Sequence, residues 1–295
     1  MTPQKCTIRY GTSIMPFFAK HIDAVPPTDT DFTNSGLFPS STSESNFPRI
    51  PEAPELQKLR RPSLSAILSA ISDQKALYLW QKAQIEEMGL GAFKASMVER
   101  MTLGTKTHTK VEEMLKTQAQ SGKNEQDLIK IIDSEKNTPI RNYMKSALPV
   151  ILEIQNPESA ICEQRVRHPM MAYQGRFDAV VKYNDNWSIL DWKTAPARSS
   201  FSKQGETSLS YNSYVRQLAA YASAYNHDIR FETQPIVKSG VLVSLKEDGS
   251  PAEVYQIPQP EMEVTFGEVK EKLREFWSKV VDAKGPNLDL AYKPT

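Results

Sequence analysis

The chain is poor in cysteine and has no long apolar run, and each shortage excludes a class of protein. Cys6 and Cys162 are the only two cysteines, too few for a disulfide framework, a multi-cysteine metal site or an iron–sulfur cluster held by four thiolates. Every apolar run falls well short of the about eighteen residues that a membrane-spanning helix needs. We therefore expect a soluble protein that does not enter a membrane.

Net charge is almost absent as well. The 36 basic residues nearly balance the 35 acidic ones, which leaves a formal charge of +1. Such a balance argues against a protein that coats nucleic acid non-specifically over its whole surface. A local basic groove remains compatible with it.

The N-terminal part differs in composition from the rest. The first twenty residues contain Lys5, Arg9 and Lys20 and no acidic residue, which is compatible with a mitochondrial transit peptide and equally with a leader that carries no address. Residues 24–55 are rich in proline, serine and threonine and lack a periodic apolar pattern. We therefore predict a flexible extension over residues 1–55 and one folded domain over residues 56–295.

Helical periodicity dominates from Pro62 to residue 155. One or two amphipathic helices follow Pro62, with Ser63 or Ser65 as the N-cap, and a helical pair is predicted around a break at Pro139. Between them, residues 97–120 predict a long helix. The apolar residues expected on its buried side are Val98, Met101, Val111, Met114 and Leu115.

After residue 160 the apolar period changes to two, which predicts strands. Three strands are expected over residues 160–168, 171–183 and 187–194, and the last two are joined by a turn at Asn184-Asp185-Asn186. The remaining elements are a polar loop over 195–210, a helix over 213–226, a hairpin over 235–258 turning at Asp248-Gly249, and a helix over 266–284. This order predicts a mixed α/β domain.

Charged residues occur in the otherwise apolar strand that ends the first hairpin. Residues two apart in a strand face the same side, so Asp191 and Lys193 point together, and the hairpin can bring Asp178 alongside. Two carboxylates at one place form a site for a hard cation such as Mg²⁺ or Mn²⁺. Such an ion supports phosphodiester hydrolysis because it activates water and neutralises charge on phosphoryl oxygens.

Further ligands are available on the long helix and on the strand itself. Gly104, His108 and Glu112 recur every fourth residue and share one helical face, so a small residue, an imidazole and a carboxylate lie in line. His108 is the candidate imidazole ligand, and the main-chain carbonyl of Trp192 is a further candidate ligand.

Four short motifs occur in a fixed order along the chain: Gly104-x-x-x-His108, Gly175-x-x-Asp178, Asp191-x-Lys193 and Gln217-x-x-x-Tyr221. In this order they resemble the RecB-like nucleases of the PD-(D/E)XK superfamily. Among these, the sequence is most similar to the branch of exonucleases that maintain mitochondrial genomes. The similarity extends over about residues 61–285.

The resemblance implies an α/β fold with a restriction-endonuclease-like core, a mixed sheet flanked by helices and an N-terminal helical region that roofs the active site. It also implies metal-dependent hydrolysis of single-stranded DNA from free ends or flaps, by a protein expected to be a monomer. His108, Asp178 and Asp191 would hold Mg²⁺ or Mn²⁺, Lys193 would be catalytic, and Gln217 and Tyr221 would support the site or the DNA.

Each of these residues also has an ordinary structural interpretation. Asp191 with Lys193 can be a surface ion pair, His108 a core histidine, and Gln217 with Tyr221 a packing face. Glu163 is interpreted as a strand-surface glutamate and Glu112 as a locally paired one. Side chains that can stack on unpaired bases or contact phosphates are Trp80, Phe93, Tyr173, Tyr211, Tyr214, Arg198 and Lys203.

Two other functions remain open. One is a structure-specific endonuclease that uses the same site, and the other is a nucleic-acid binding module that has lost catalysis. The sequence decides neither the polarity of digestion nor a preference for DNA over RNA.

Overall fold

The fold is known from a computed structural model, which describes residues 26–39, 49, 61–72, 75–122, 124–195 and 209–283. Within these residues a five-stranded mixed sheet has helices packed on both faces. The helices are α1 (Asp29–Asn34), α2 (Leu64–Ile71), α3 (Lys75–Met88), α4 (Leu90–Ser121), α5 (Glu125–Ser134), α6 (Thr138–Glu153), α7 (Leu209–His227) and α8 (Gln259–Ala283). Short 3₁₀ turns occur at Pro157–Ser159 and Ile229–Phe231.

Seven strands form the main sheet and a small ribbon. The strands are β1 (Ile161–Cys162), β2 (Arg165–Arg167), β3 (Gln174–Arg176), β4 (Ala179–Tyr183), β5 (Asn186–Ala195), β6 (Ser239–Lys246) and β7 (Glu253–Ile257). The main sheet has the order β1-β4-β5-β6-β7, and β2 pairs with β3 in the ribbon. The β5–β6 pair is parallel and the other pairs are antiparallel. The helix α7 connects the two parallel strands, as a parallel pair requires.

Alternation along the central strands creates two separate apolar cores. Val180, Ile189 and Leu242 face the core formed with α2, α7 and α8. Their neighbours in the strands, among them Leu190 and Trp192, face the core formed with α4, α5 and α6. Since both faces of these strands are covered, a charged side chain within them must have a local partner.

Most predicted elements are confirmed. Two helices follow Pro62, and the Ser63 side chain accepts a hydrogen bond from the amide of Ala66 at the start of α2. The β4–β5 hairpin closes with a two-residue turn in which Asn184 and Asp185 have φ angles of 46° and 62°. Such left-handed pairs match the twist of a tight hairpin and suit these residue types.

Two expectations about the first strands need correction. The predicted strand over 160–168 is divided into β1 and β2, and the predicted strand over 171–183 is divided into β3 and β4. The chain leaves the main sheet for the ribbon at Glu163-Gln164 and returns from the ribbon to the main sheet at Phe177-Asp178. An apolar alternation shows that a segment is extended but does not show which sheet it joins.

The expected burial of the first half of the long helix is also wrong. Val98 and Met101 are 63% and 69% exposed, whereas Val111, Met114 and Leu115 are buried as expected. Side chains of residues 90–106 are exposed or half-buried throughout, because this half of α4 extends past the main cores. Nearby on α3, Leu77, Leu79 and Trp80 are exposed as well.

Part of the predicted N-terminal extension packs on the folded domain. Phe32 and Leu37 are buried in the core that contains α7 and α8. Ser223 donates a hydrogen bond to the carbonyl of Gly36 over 2.7 Å, and Asn226 donates one to the carbonyl of Leu37 over 3.0 Å. Residues 1–25, which include the predicted transit peptide, lie outside the described part of the chain. None of the described helices combines the length and apolarity needed to cross a membrane.

Candidate active site

The predicted site residues come from three elements that meet at one place. His108 lies on α4, Asp191 and Lys193 lie on β5, and Gln217 and Tyr221 lie on α7. Asp178 occupies the break between β3 and β4, where the chain moves from the ribbon to the main sheet. Its side chain is therefore free of the regular alternation that would direct it into one of the cores.

Asp178 connects the helix to the strand. Its Oδ1 atom lies 3.1 Å from Nδ1 of His108, and its Oδ2 atom accepts a hydrogen bond from the main-chain amide of Trp192 over 2.7 Å. Burial lowers the pKa of His108, but the hydrogen bond and charge of Asp178 and the charge of Asp191 raise it by more. The pKa of His108 therefore lies above its usual value. The imidazole is thus held in a negatively charged environment.

Asp191 and Lys193 point the same way, as the strand period predicts. The Nζ atom of Lys193 lies 2.6 Å from Oδ2 of Asp191. Asp191 is only 5% exposed. Burial raises the pKa of Asp191 to about 6, Lys193 opposes this rise, and the charge of Asp178 adds to it. For Lys193, burial lowers the pKa and Asp191 raises it, with a net increase that keeps the ammonium charged. The interpretation as a solvated surface pair is therefore wrong.

Glu163 joins the site, although its sequence position favours a surface glutamate. Its carboxylate, the Asp178 carboxylate and the His108 ring present three ligand atoms that all lie within 4.8 Å of one another. Burial raises the pKa of Glu163, the Asp178 charge adds to this, and Arg176, at 2.5 Å from Oε2, opposes it. Glu163 has a left-handed φ of 53° at the strand break, and no sequence pattern signals this conformation. Glu112, in contrast, pairs with Lys116 at 2.7 Å, as expected.

Gln217 and Tyr221 extend the site away from the carboxylates. Gln217 Oε1 accepts a hydrogen bond from Lys193 Nζ over 3.5 Å, and Gln217 Nε2 donates one to the Tyr221 hydroxyl over 3.2 Å. The ring of Tyr221 lies directly on Gly175, where a Cβ atom would be 2.1 Å from the ring carbon Cε1. Gly175 is therefore required because an aromatic ring occupies the space of a side chain.

Gly104 has no comparable steric role among the described residues. A Cβ atom there would be 3.8 Å from Thr194 Oγ1, which is an ordinary contact. The contact nevertheless shows that α4 covers the C-terminal end of β5, as expected for a helical region above the site.

The aromatic residues that were candidates for base stacking differ in their exposure. Tyr173 and Tyr211 are buried and cannot meet a base, so this expectation is wrong for them. Tyr214 places its ring 4.6 Å below the Lys193 ammonium. Trp80 is 42% exposed and packs edge-on against Phe93. Two candidate cations, Arg198 and Lys203, lie outside the described residues.

A family model matches most of the chain. The model of the PD-(D/E)XK nuclease superfamily matches residues 77–289, which include all of the site residues named above. The chain belongs to the PD-(D/E)XK nuclease superfamily. Its mixed five-stranded sheet flanked by helices is the α/β fold expected for this superfamily.

Relatives of this PD-(D/E)XK nuclease share modest identity with it. Three proteins named mitochondrial genome maintenance exonuclease 1 are similar. The human one is 24% identical over 216 residues, covering 72% of this chain and 57% of the relative. The protein from Xenopus tropicalis is 27% identical over 197 residues, covering 66% and 51%, and that from Mus musculus is 24% identical over 236 residues, covering 78% and 63%. The chain therefore spans a little over half the length of these relatives.

The side chains of this nuclease fit a hard divalent cation. The cluster of Glu163, Asp178 and His108 offers two carboxylates and one imidazole, a set that suits Mg²⁺ and, with its nitrogen, especially Mn²⁺. Cys162 is not one of the residues whose ligand atoms converge in this cluster, and burial and the charge of Glu112 raise the pKa of its thiol to about 11. Asp191 faces Lys193 rather than this cluster, so its predicted place as a ligand, like that of the Trp192 carbonyl, stays a prediction.

Proposed function

We propose that this nuclease is a divalent-metal-dependent exonuclease that hydrolyses single-stranded DNA from free ends or flaps. The observation that carries the proposal is the pair of His108 with Asp178 beside the pair of Asp191 with Lys193, joined by the hydrogen bond from the Trp192 amide in β5 to Asp178. The name exonuclease, which the three relatives bear, supports the same activity.

The ion would be held by His108, Asp178 and Asp191, with the Trp192 carbonyl, and we add Glu163 to this set because of its place in the cluster. When bound, Mg²⁺ or Mn²⁺ supplies activation of a water molecule and neutralisation of phosphoryl charge. The amide of Trp192 orients the Asp178 carboxylate, which leaves Oδ1 directed at the cluster.

Lys193 supplies a fixed positive charge next to the reacting phosphate. Its ammonium is held between the Asp191 carboxylate, the Gln217 amide and the Tyr214 ring, so little reorganisation is needed when charge develops on a phosphoryl oxygen. Gln217 in turn is oriented by the Tyr221 hydroxyl. We propose that Gln217 and Tyr221 act on the reaction by fixing Lys193.

Two properties support a single-stranded substrate. A formal charge of +1 leaves no broad excess of basic residues of the kind that grips duplex DNA along its length. The helices that precede the sheet expose apolar side chains, among them Trp80 and Met101, and such side chains suit the faces of unpaired bases.

The decisive test compares linear and covalently closed circular single-stranded DNA of equal length with Mn²⁺. The proposal expects rapid loss of the linear strand, persistence of the circle and no hydrolysis in a chelator. Cleavage of the circle at a similar rate would favour the endonuclease alternative. Binding without cleavage of either strand would favour the inactive binding module, and full activity in EDTA would exclude the metal.

We also propose that the protein acts in mitochondria as a monomer. The names of the three relatives refer to mitochondrial genome maintenance, and the composition of residues 1–20 is compatible with a transit peptide. Fractionation of cells that express the full chain with a C-terminal tag tests the location. Light scattering of the purified protein tests the oligomeric state.

A further inference from the structure

A cavity of about 260 Å³ opens beside the catalytic lysine. It lies between α2, the start of α3 and the first three turns of α7. The residues that line it are Leu64, Ser65, Leu68, Ser69, Ser72, Leu77, Ser213 and Gln217.

The cavity continues the line of the reaction centre. Gln217 forms part of its wall and accepts a hydrogen bond from Lys193, whose ammonium pairs with Asp191. The carboxylate cluster at His108 is linked to this pair through Asp178, whose Oδ2 accepts a hydrogen bond from the amide of Trp192, the residue between Asp191 and Lys193. A phosphodiester bound between the cluster and Lys193 would carry one nucleoside on each side. Because Gln217 contacts Lys193 and also lines the cavity, the nucleoside on the Lys193 side would have the cavity next to it.

The lining has the chemistry of a neutral, hydrogen-bonding ligand. Among the described residues that line it, none carries a charge, so nothing there would attract a phosphate group. Leu64, Leu68 and Leu77 contribute apolar surface that suits the face of a base. The Ser72 hydroxyl donates to the carbonyl of Leu68, and the Gln217 amide contacts Lys193 and Tyr221. A hydroxyl oxygen has two acceptor sites and an amide nitrogen has two donor hydrogens, so the lining keeps hydrogen-bonding capacity for a base edge or for sugar oxygens. The volume matches a single nucleoside rather than two.

We propose that this cavity binds the base and sugar of the nucleotide that adjoins the scissile phosphate, without selecting among the four bases. The proposal rests on the proposed nuclease function and adds the subsite that positions the strand for each cleavage. Since hydroxyl groups and leucine side chains recognise no particular base pattern, the subsite allows processive removal of nucleotides of mixed sequence.

Filling the cavity is the direct test. Ser69 is an exposed residue in the middle of α2, so Ser69→Leu projects bulk into the space and Ser69→Ala removes only the hydroxyl. Ser278→Leu, at an exposed position in α8 that does not line the cavity, is the matched control. The substrates are thymidine 3′-(4-nitrophenyl phosphate), thymidine 5′-(4-nitrophenyl phosphate) and bis(4-nitrophenyl) phosphate, which has no nucleoside, each with Mn²⁺.

The measured quantity is the ratio of the hydrolysis rate of each thymidine substrate to that of bis(4-nitrophenyl) phosphate. For one of the two thymidine substrates, Ser69→Leu should lower this ratio by about tenfold, which is in the lower range of what one stacked base contributes. Ser69→Ala and Ser278→Leu should leave this ratio within about twofold. An unchanged ratio for both thymidine substrates in Ser69→Leu overturns the proposal. So does an equal fall for both thymidine substrates, because the substitution then acts on the reaction centre as a whole.

Binding separates this proposal from the nuclease function itself. Titration of the wild-type protein and Ser69→Leu with thymidine 5′-monophosphate and, separately, thymidine 3′-monophosphate in Mn²⁺ requires no turnover. If the wild-type protein degrades neither these substrates nor linear single-stranded DNA, the proposed function fails. A Kd about tenfold higher in Ser69→Leu for one nucleotide would still support the cavity. If Ser69→Leu binds each of the two nucleotides with the same Kd as the wild-type protein, the proposal is overturned.

Discussion

Gly175→Ala tests the contact that joins the ribbon to the active-site helix. The new Cβ atom would lie 2.1, 2.6 and 2.8 Å from the ring atoms Cε1, Cζ and Cδ1 of Tyr221. All three separations are far below van der Waals contact. Tyr221 is 6% exposed and its helix packs in the core, so the ring cannot simply swing into solvent.

The magnitude follows from this overlap. Overpacking of a filled core costs about 1–3 kcal/mol in the free energy of unfolding, or roughly 2–10 °C in Tm for a domain of this size. Displacement of the Tyr221 hydroxyl also removes the hydrogen bond that orients Gln217, which contacts Lys193. We therefore expect kcat on single-stranded DNA to fall together with stability.

A double variant and a control sharpen the measurement. In Gly175→Ala with Tyr221→Leu the clash is relieved, so denaturation should show a loss smaller than the sum of the two single losses by about 1 kcal/mol or more. The control Gly104→Ala places its Cβ 3.8 Å from Thr194 Oγ1 and should gain up to about 1 kcal/mol, since alanine is the better helix former. Wild-type stability of Gly175→Ala, or strictly additive losses in the double variant, would refute the reasoning.

Four further changes test the site and the N-terminal contacts. Lys193→Met should lower kcat by about 10²–10³, because it removes a preorganised positive charge, as measured by single-turnover hydrolysis of single-stranded DNA. Glu163→Gln should raise the Mn²⁺ concentration for half-maximal rate by about tenfold, since it weakens one ligand of the cluster. Protons compete with the cation for carboxylates of raised pKa, such as Asp191 at about 6, so Mn²⁺ should raise Tm more at pH 7.5 than at pH 5. Without metal, the raised pKa of Asp191 means that the folded state binds more protons than the unfolded state. The contribution of Asp191 to the free energy of unfolding therefore falls as pH rises from about 4 to 6. Phe32→Ala should cost about 3 kcal/mol in unfolding by denaturant, because Phe32 is buried in the core.

Matched controls exist for these changes. The exposed residues Lys82, Glu158 and Thr30 lie away from the described site contacts, so Lys82→Met, Glu158→Gln and Thr30→Ala should behave like the wild-type protein. Wild-type activity of Lys193→Met would mean that Lys193 serves only as a structural ion-pair partner of Asp191. An unchanged Mn²⁺ titration would leave Glu163 as a partner of Arg176 alone. Equal Mn²⁺ effects at both pH values would argue against carboxylate ligands, and a stable Phe32→Ala protein would argue that the N-terminal segment does not pack in solution.

The sequence by itself determined the features that depend on local geometry. A strand repeats every two residues, so Asp191 and Lys193 had to share a face, and a helix brings Gln217 and Tyr221 together at a spacing of four. The tight hairpin followed from Asn184 and Asp185, because these residue types tolerate left-handed backbone angles. These features gave the α/β fold, the mixed order of elements and most of the candidate site.

Only the tertiary structure decided the features that depend on distant contacts. Glu163 meets Asp178 because both occupy the break between the main sheet and the ribbon, where the amide of Glu163 donates a hydrogen bond to the carbonyl of Asp178. Val98 is exposed because its half of α4 has no core to cover, although its periodicity is that of a buried face. Phe32 is buried because Ser223 and Asn226 hold the segment that carries it. Burial depends on which surfaces meet in three dimensions, whereas periodicity records only which residues share a face.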